Sequence, residues 1–242
     1  ARVQQEAADP AASGLQFLYV TPERVAKSKL LLSRLQKCYL AEKLAYICVD
    51  EAHCCAVQGH DFRPDYLALG VLRASFPRVP IIALTATASP AVVRDVEANL
   101  GMAANTVHFR GHFDRMNLKY EVRAKIDDEQ TVAEMAAVAQ QQHARQPGIV
   151  YTLSRMDAER VAEALRSTHG VRAAAYHAGT DAKARQRVQS AWQRGELQLV
   201  VATVAFGLGI DKPDVRFVMH HSMSKSLEAY YQEAGRAGRD GA

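Results

Sequence analysis

Ile47-Cys48-Val49-Asp50-Glu51-Ala52-His53 is a short apolar run with β-branched side chains that stops at two adjacent carboxylates. Such a run reads as a strand of a parallel α/β sheet, where both faces are covered and polar alternation is lost. In those sheets ligands gather beyond the carboxyl ends of the strands, so Asp50 and Glu51 stand where chemistry would be. Two acids at a strand end suit metal-assisted phosphoryl transfer. Asp50 would anchor a Mg²⁺ that bridges nucleotide phosphates, and Glu51 would orient the attacking water. The same pair also reads as loop acids capping the next helix, and the stretch alone leaves both readings open.

Upstream, residues 15–20 form an apolar and aromatic run that predicts a strand, and Thr21-Pro22-Glu23 follows it with the order of a helix start. Thr21 is the N-cap, Pro22 the first helical position and Glu23 the first-turn acid. A helix start beyond a strand suits a phosphate, including one on a nucleic-acid backbone, although simple capping explains the same residues. Residues 25–43 carry helical periodicity back to the acid-bearing strand. Downstream, the loop at 54–66 is polar and aromatic and includes Gln58, His60, Phe62 and Arg63. Arg63 and the aromatics could grip a single strand by ion pairing and stacking, or Phe62 could simply plug the core. Residues 66–76 predict a helix and 79–84 a strand ending in Thr85-Ala86-Thr87, whose hydroxyls could bond the neighbouring carboxylates. A helix at 90–100 follows, with Ser89 as N-cap and Gly101 as stop.

The pattern turns irregular near 107–122, with extended segments at 107–109 and 118–122, so the expected division is 1–118 and 119–242. Beyond a helix at 127–146, strands at 149–153, 171–176, 197–202 and 215–219 alternate with helices at 156–168 and 181–194. That alternation predicts a second parallel sheet flanked by helices. Thr203, Gly207, Gly209 and Asp211 follow one strand, where glycines let backbone approach a phosphate or a facing loop. Near the close, Gln232-Glu233-Ala234-Gly235-Arg236-Ala237-Gly238-Arg239 sets two arginines three apart. On a helix both would share a face and could meet one anion, as an arginine finger meets a γ-phosphate; a solvated basic turn is the plain alternative.

Composition narrows the classes. The 242 residues are 48% hydrophobic, enough for buried cores, and no apolar run approaches the roughly 20 residues of a membrane helix. The net charge of +4 is spread evenly: Lys and Arg against Asp and Glu number 13 to 11 in residues 1–118 and 17 to 15 in 119–242. That balance permits a nucleic-acid partner without arguing for one. Cys38, Cys48, Cys54 and Cys55 show neither a disulfide framework nor paired zinc spacing and fit a reducing compartment.

Taken together, the segment at 19–23, the Asp50-Glu51-Ala52-His53 box, residues 59–66, 84–88, Tyr176-His177-Ala178-Gly179, 202–216 and 232–241 resemble the RecQ family of DNA helicases. These are DEAH-box, superfamily-two proteins with two RecA-like lobes. The stretch at 220–226 is most similar to the small Q1-type eukaryotic members. The resemblance implies an α/β chain of two RecA-like lobes, each a mostly parallel sheet flanked by helices, the first incomplete at its N-terminus. It implies ATP and Mg²⁺ as cofactors, and 3'-5' unwinding of forked or junction DNA in repair and recombination. It also implies single-stranded and duplex DNA as partners, DNA-repair proteins as further ones, and a nuclear location. Asp50 and Glu51 match the family's Mg²⁺ and water-activating acids, and His53 its coupling residue. Thr85 and Thr87 match the motif linking hydrolysis to strand separation. Gln232, Arg236 and Arg239 match the nucleotide-sensing motif, and His60, Phe62 and Arg63 fall in the DNA-sensing loop.

The departures are specific. Ala56, Val57 and Gln58 stand where the family reads Ser-Gln-Trp, which removes an aromatic platform of about 1–3 kcal/mol per base. Met116 replaces a proline and Ala234 a serine. No Gly-x-x-x-x-Gly-Lys-Ser/Thr occurs, so the chain reads as a helicase core fragment whose P-loop would lie upstream of Leu15. A non-catalytic DNA-binding remnant is the alternative. A metallohydrolase built on Asp50, Glu51, His53 and His60 has no matching zinc spacing, and an RNA helicase is disfavoured only by the RecQ-like loop.

Overall fold

The computed structural model describes residues 15–56, 62–86, 89–111, 114–204, 206 and 212–242. The chain divides into two compact units, 1–110 and 111–242. Residues 111–118, placed with the first part on sequence grounds, belong to the second unit. There Arg115 and Asn117 donate hydrogen bonds to backbone carbonyls at 235–242.

In the first unit, α1 (Pro22–Lys27) and α2 (Lys29–Leu40) replace the single helix expected over 25–43. The break is at Ser28, whose backbone is extended (φ −105°, ψ 90°) and whose hydroxyl accepts from Leu31 N–H to cap α2. Two strands, β1 (Ile47–Val49) and β2 (Ile81–Ala83), pair in parallel, Ile47 opposite Ile81 and Val49 opposite Ala83. Between them lie a 3₁₀ turn (Ala52–Cys55) and two short helices, α3 (Pro64–Leu67) and α4 (Gly70–Ser75), where one helix at 66–76 was expected. Helix α5 (Pro90–Leu100) has the expected ends: Ser89 Oγ accepts from Val92 N–H, and Gly101 stops it with φ 57°. The core gathers Val25, Val49, Cys54, Leu72, Phe76 and Leu100.

Residues 15–20 are not a strand. The apolar pattern is present, but Phe17 and Tyr19 are exposed, and the segment is outside the sheet among the described residues. A strand exists only where its N–H and C=O groups find a ladder. The extended segments at 107–109 and 118–122 are likewise irregular rather than sheet.

The second unit is a four-stranded parallel sheet of order β4-β5-β3-β6, from β3 (Gly148–Tyr151), β4 (Ala173–Tyr176), β5 (Leu199–Ala202) and β6 (Phe217–His220). Helices α6 (Asp128–Ala137), α7 (Arg155–Ser167), α8 (Ala182–Gln193) and α9 (Leu227–Ala234) complete it. The central strands β3 and β5 are buried at every position, and their side chains alternate between two cores. Val150, Leu199 and Val201 face one side with Val161 and Leu165 of α7, whereas Ile149, Tyr151, Val200 and Ala202 face the other with Trp192 and Phe206. Both faces being covered is why these strands read as unbroken apolar runs. The expected helix at 127–146 ends α-helically at Ala137 and continues as a π turn over Val138–Gln142. Gln198 Nε2 donates to the carbonyls of Ala139 (2.7 Å) and His143 (2.9 Å), which satisfies acceptors that the wider turn frees. No helix among the described residues is long and apolar enough to cross a membrane.

Trp192 is the sole tryptophan and is fully buried in the second unit, so its fluorescence reports that unit alone. Leu165→Ala empties a fully buried site between α7 and the sheet. It is expected to lower the unfolding free energy by about 3 kcal/mol, measured as a shifted urea midpoint of the Trp192 signal.

Candidate functional site

In the first unit the site is built at the carboxyl end of the β1–β2 pair. Leu84 N–H donates to Val49 C=O (2.8 Å), and Ala52 N–H donates back to Leu84 C=O (2.9 Å), so the pairing runs past both strands. Asp50 emerges exposed, and its Oδ1 accepts from Glu51 N–H at 2.9 Å. That bond holds Glu51 in the left-handed region (φ 50°, ψ 42°), a conformation that costs a non-glycine residue about 1 kcal/mol or more. The turn brings the Glu51 carboxylate to His53, with Oε2 3.4 Å from His53 Nδ1. The same nitrogen is 2.9 Å from Thr85 Oγ1 at the end of β2. Thr85, His53 and Glu51 thus form one polar relay across the strand ends, with His53 almost fully buried. From below, Tyr66 O–H donates to Asp50 C=O at 3.2 Å; burial pushes the Tyr66 phenol up to about 12, so it stays a neutral donor.

Thr21 occupies the N-cap position of α1, where its carbonyl accepts from Arg24 and Val25 N–H, but its hydroxyl does not cap the helix. Its hydroxyl is turned to Glu23 and is the main reason that carboxyl sits below its ordinary range, with Lys27 and Arg63 adding to the effect. Pro22 takes the first helical position. Arg63 is the N-cap residue before α3, its N–H bonded to Cys54 C=O (3.1 Å), and Phe62 is half-buried. Gln58, His60 and Thr87 lie outside the described residues, as do Gly207, Gly209 and Asp211 of the second unit.

In the second unit His177, just past β4, is buried, with Nε2 3.0 Å from Glu159 Oε1 of α7 and Nδ1 3.3 Å from Thr180 Oγ1. Thr203 follows β5 and accepts from Phe206 N–H. Gln232 is on α9. The two arginines are not on a helix. Helix α9 stops at Ala234, and Arg236 and Arg239 occupy the turns beyond it, separated by Gly238 with φ 59°. The expectation of a shared helical face is therefore corrected: the glycines that flank the arginines end the helix and re-aim the chain. Arg236 lies against Tyr151, whose phenol burial drives up to about 12 while the guanidinium opposes that rise; Tyr151 O–H donates to Phe206 C=O at 2.8 Å.

The arginine turn is held from three sides. Gly238 N–H donates to Val215 C=O (2.8 Å), and Arg216 grips Asp240 with both guanidinium nitrogens (2.8 and 2.6 Å), holding that carboxyl down at about 2. Arg115 donates to the carbonyls of Gly235 (3.3 Å), Ala237 (3.1 Å) and Gly238 (2.5 Å), and Asn117 Nδ2 donates to Gly238 C=O (2.9 Å). Glu233, buried at the end of α9, accepts from Ser224 Oγ and lies 2.9 Å from His220 Nε2. Arg115, Asn117 and Arg216 escape a sequence reading because their partners are carbonyls or acids far along the chain.

No group of three or more His, Cys, Asp or Glu side chains that could hold a metal ion occurs among the described residues. Asp50 offers a single exposed carboxylate, which fits Mg²⁺ carried in on nucleotide phosphates and not a metal caged by protein alone.

Comparison with known proteins finds two family models along the chain: DEAD/DEAH box helicase over residues 2–96 and helicase conserved C-terminal domain over residues 129–241. The chain is 51% identical over 229 residues to ATP-dependent DNA helicase Q1 of Rattus norvegicus, covering 94% of this chain and 37% of the relative. It is 50% identical over 229 residues to ATP-dependent DNA helicase Q-like 2 of Arabidopsis thaliana, covering 94% and 32%. The chain spans about a third of the length of these relatives. Two solved structures share the fold. Mycobacterium smegmatis helicase Lhr bound to ssDNA and AMP-PNP matches with TM-score 0.70 and 24% identity, over 99% of this chain and 32% of that one. S. cerevisiae Dbp5 bound to RNA and ADP BeF3 matches with TM-score 0.65 and 16% identity, over 86% and 55%.

A Cβ at Gly238 would meet Asn117 Nδ2 at 2.5 Å and Ala242 C=O at 2.9 Å, whereas one at Gly241 (φ 85°) meets nothing within 4 Å. Gly238→Ala is expected to destabilise the second unit by about 2 kcal/mol and Gly241→Ala by less, compared as urea midpoints of Trp192 fluorescence.

Proposed function

This chain belongs to the RecQ-type DEAD/DEAH box helicases, and from that premise we propose that it acts as part of an ATP-dependent DNA helicase that unwinds forked or junction DNA with 3'-5' polarity. The observation that carries the reading is the relay Thr85–His53–Glu51 beside Asp50 at the end of a parallel strand pair. In the proposed reaction a water attacks the γ-phosphorus of ATP, the bond to the bridging oxygen breaks, and ADP and phosphate leave. Glu51 orients that water and takes its proton, and buried His53 holds the Glu51 carboxylate in place. Mg²⁺, held by Asp50 with the nucleotide phosphates, would neutralise the charge that builds on the phosphoryl oxygens. Arg236 and Arg239 are assigned to the same charge, with Gln232, Gly207, Gly209 and Asp211 as further nucleotide contacts.

Thr85, at the end of β2, is bonded to the histidine that faces the water-orienting acid. A change in Glu51 on hydrolysis can therefore pass to the Thr85–Thr87 segment, the proposed link to DNA. Thr21, Pro22, Glu23, Gln58, His60, Phe62 and Arg63 are assigned to DNA on the first unit, and His177 and Thr203 on the second. Single-stranded and duplex DNA are the proposed partners, together with proteins of DNA repair and recombination, and the nucleus is the proposed location.

The test is ATP hydrolysis by the full-length protein with and without single-stranded DNA, beside Glu51→Gln. Loss of the general base is expected to lower kcat by about 100-fold or more with nucleotide binding retained. Equal hydrolysis in both proteins would refute the assignment of Glu51, and no hydrolysis in either would leave a DNA-binding protein without a motor. His53→Ala is expected to lower basal hydrolysis, because Glu51 loses the ring that holds it, and to lower the stimulation by DNA as well, because the contact with Thr85 goes with it.

A further inference from the structure

Arg115 and Asn117 have no part in the nucleotide or DNA assignments above, yet Arg115 donates three hydrogen bonds to the backbone of the arginine turn and Asn117 two more at its far end. We infer that Arg115, supported by Asn117, is a positioning residue that sets the aim of Arg236 and Arg239; the inference rests on the proposed role of those arginines in ATP hydrolysis.

The geometry is that of a clamp on backbone. A helix leaves its last carbonyls without intrahelical partners, and a cation at its C-terminus satisfies them with favourable charge. Arg115 does this with one planar fork. Nη1 donates to Gly235 C=O at the end of α9, and Nη2 donates to Ala237 and Gly238 C=O. These three carbonyls bracket Arg236 and run up to Arg239 in sequence, so fixing them fixes the peptide planes from which both arginine side chains depart. Asn117 closes the far end on Gly238 and Ala242 C=O (2.9 and 3.2 Å). The turn needs such a clamp because its helical bonding runs out: Arg236 and Ala237 N–H still reach back three residues, to Glu233 and Ala234 C=O, but left-handed Gly238 turns away and donates to Val215 instead.

A purely structural role would be served by any donor of similar reach. A positioning role requires the fork, because one lysine ammonium is a point charge that cannot hold three divergent carbonyls in fixed directions. Arg115→Lys therefore separates the two. It keeps the charge at the helix end and most of the stability, but loosens the turn.

The experiment uses the full-length protein with Arg115→Lys, Arg115→Ala, Arg236→Ala, Arg239→Ala and the double variant Arg115→Lys/Arg239→Ala. Steady-state ATP hydrolysis, binding of a fluorescent ATP analogue, and the urea midpoint are read for each. Arg115→Lys is expected to lower kcat by about 10- to 100-fold, as misplacement of a catalytic group by about 1 Å does. The analogue is expected to bind within about threefold of the unaltered protein, since the lost contact acts in the transition state. In the double variant the lysine is expected to add little to the loss from Arg239→Ala, because its effect travels through that arginine.

A folded Arg115→Lys with unaltered kcat, while Arg239→Ala is impaired, overturns the inference and leaves the reading of the arginines intact. Full additivity in the double variant overturns it too. An Arg239→Ala and an Arg236→Ala protein that both hydrolyse ATP at the unaltered rate overturn the reading itself, and the inference with it.

Discussion

The extension of the β1–β2 ladder past its last paired residues, through Leu84 N–H to Val49 C=O and Ala52 N–H to Leu84 C=O, is the constraint on which the acid-bearing turn depends. It anchors the backbone on both sides of Asp50 and Glu51, so the chain must turn within two residues. The left-handed backbone of Glu51 is the result. Strain of this kind persists only where surrounding bonds over-determine it. Here Asp50 Oδ1, Leu84 C=O and the buried His53 all act on the same turn. The ladder also sets which side chains meet: because β1 and β2 run in parallel and in register, their ends coincide and bring Thr85 within hydrogen-bond distance of His53.

The second unit solves a different problem with similar means. Its two candidate arginines lie past the end of α9, where the α-helical hydrogen bonding gives way to shorter bonds and then stops. Order is restored by donors from elsewhere in the chain: Arg115 and Asn117 on carbonyls, Arg216 on Asp240, and Val215 C=O on Gly238 N–H. The buried carboxylate of Glu233 fixes the other side of α9 to His220, whose ring packs on Tyr151 and Tyr230. Tyr151, the ring beside Arg236, is thus packed against His220 and tied to Phe206 C=O so that its hydroxyl is not left unsatisfied.

What the sequence made legible follows from what periodicity and capping chemistry can report. The strands of the second sheet and helices α7 and α8 were readable because covered faces demand unbroken or amphipathic apolar patterns. Ser89 and Gly101 were readable because cap residues act locally, and Thr21 holds the cap position it was given while its hydroxyl turns to Glu23 instead. Pattern alone failed wherever a distant partner decides. Residues 15–20 carry a strand's side chains without a ladder in the described structure, and Ser28 diverts a periodic stretch into two helices by accepting from Leu31 N–H with its hydroxyl. The arginines were recognisable as a pair, but the inference from their spacing assumed a helix that glycine terminates.

The residues that aim chemistry are harder to read than those that perform it, and the reason is physical. A group that orients water or meets a phosphate must be of one chemical type, at one place beside a strand or turn, so it leaves a motif. A group that aims it needs only to donate hydrogen bonds to peptide carbonyls, which every residue presents. Arg115 and the turn it clamps are 120 residues apart at Gly235, and nothing in the composition of residues 114–117 announces the partner. Its selectivity comes from the directions of three carbonyls, which exist only once α9 has ended and Gly238 has turned the chain. The constraint on Arg115 is therefore a consequence of the fold, whereas the constraint on Asp50 and Glu51 comes from the chemistry placed at a strand end, and only the latter can be stated before the structure is known.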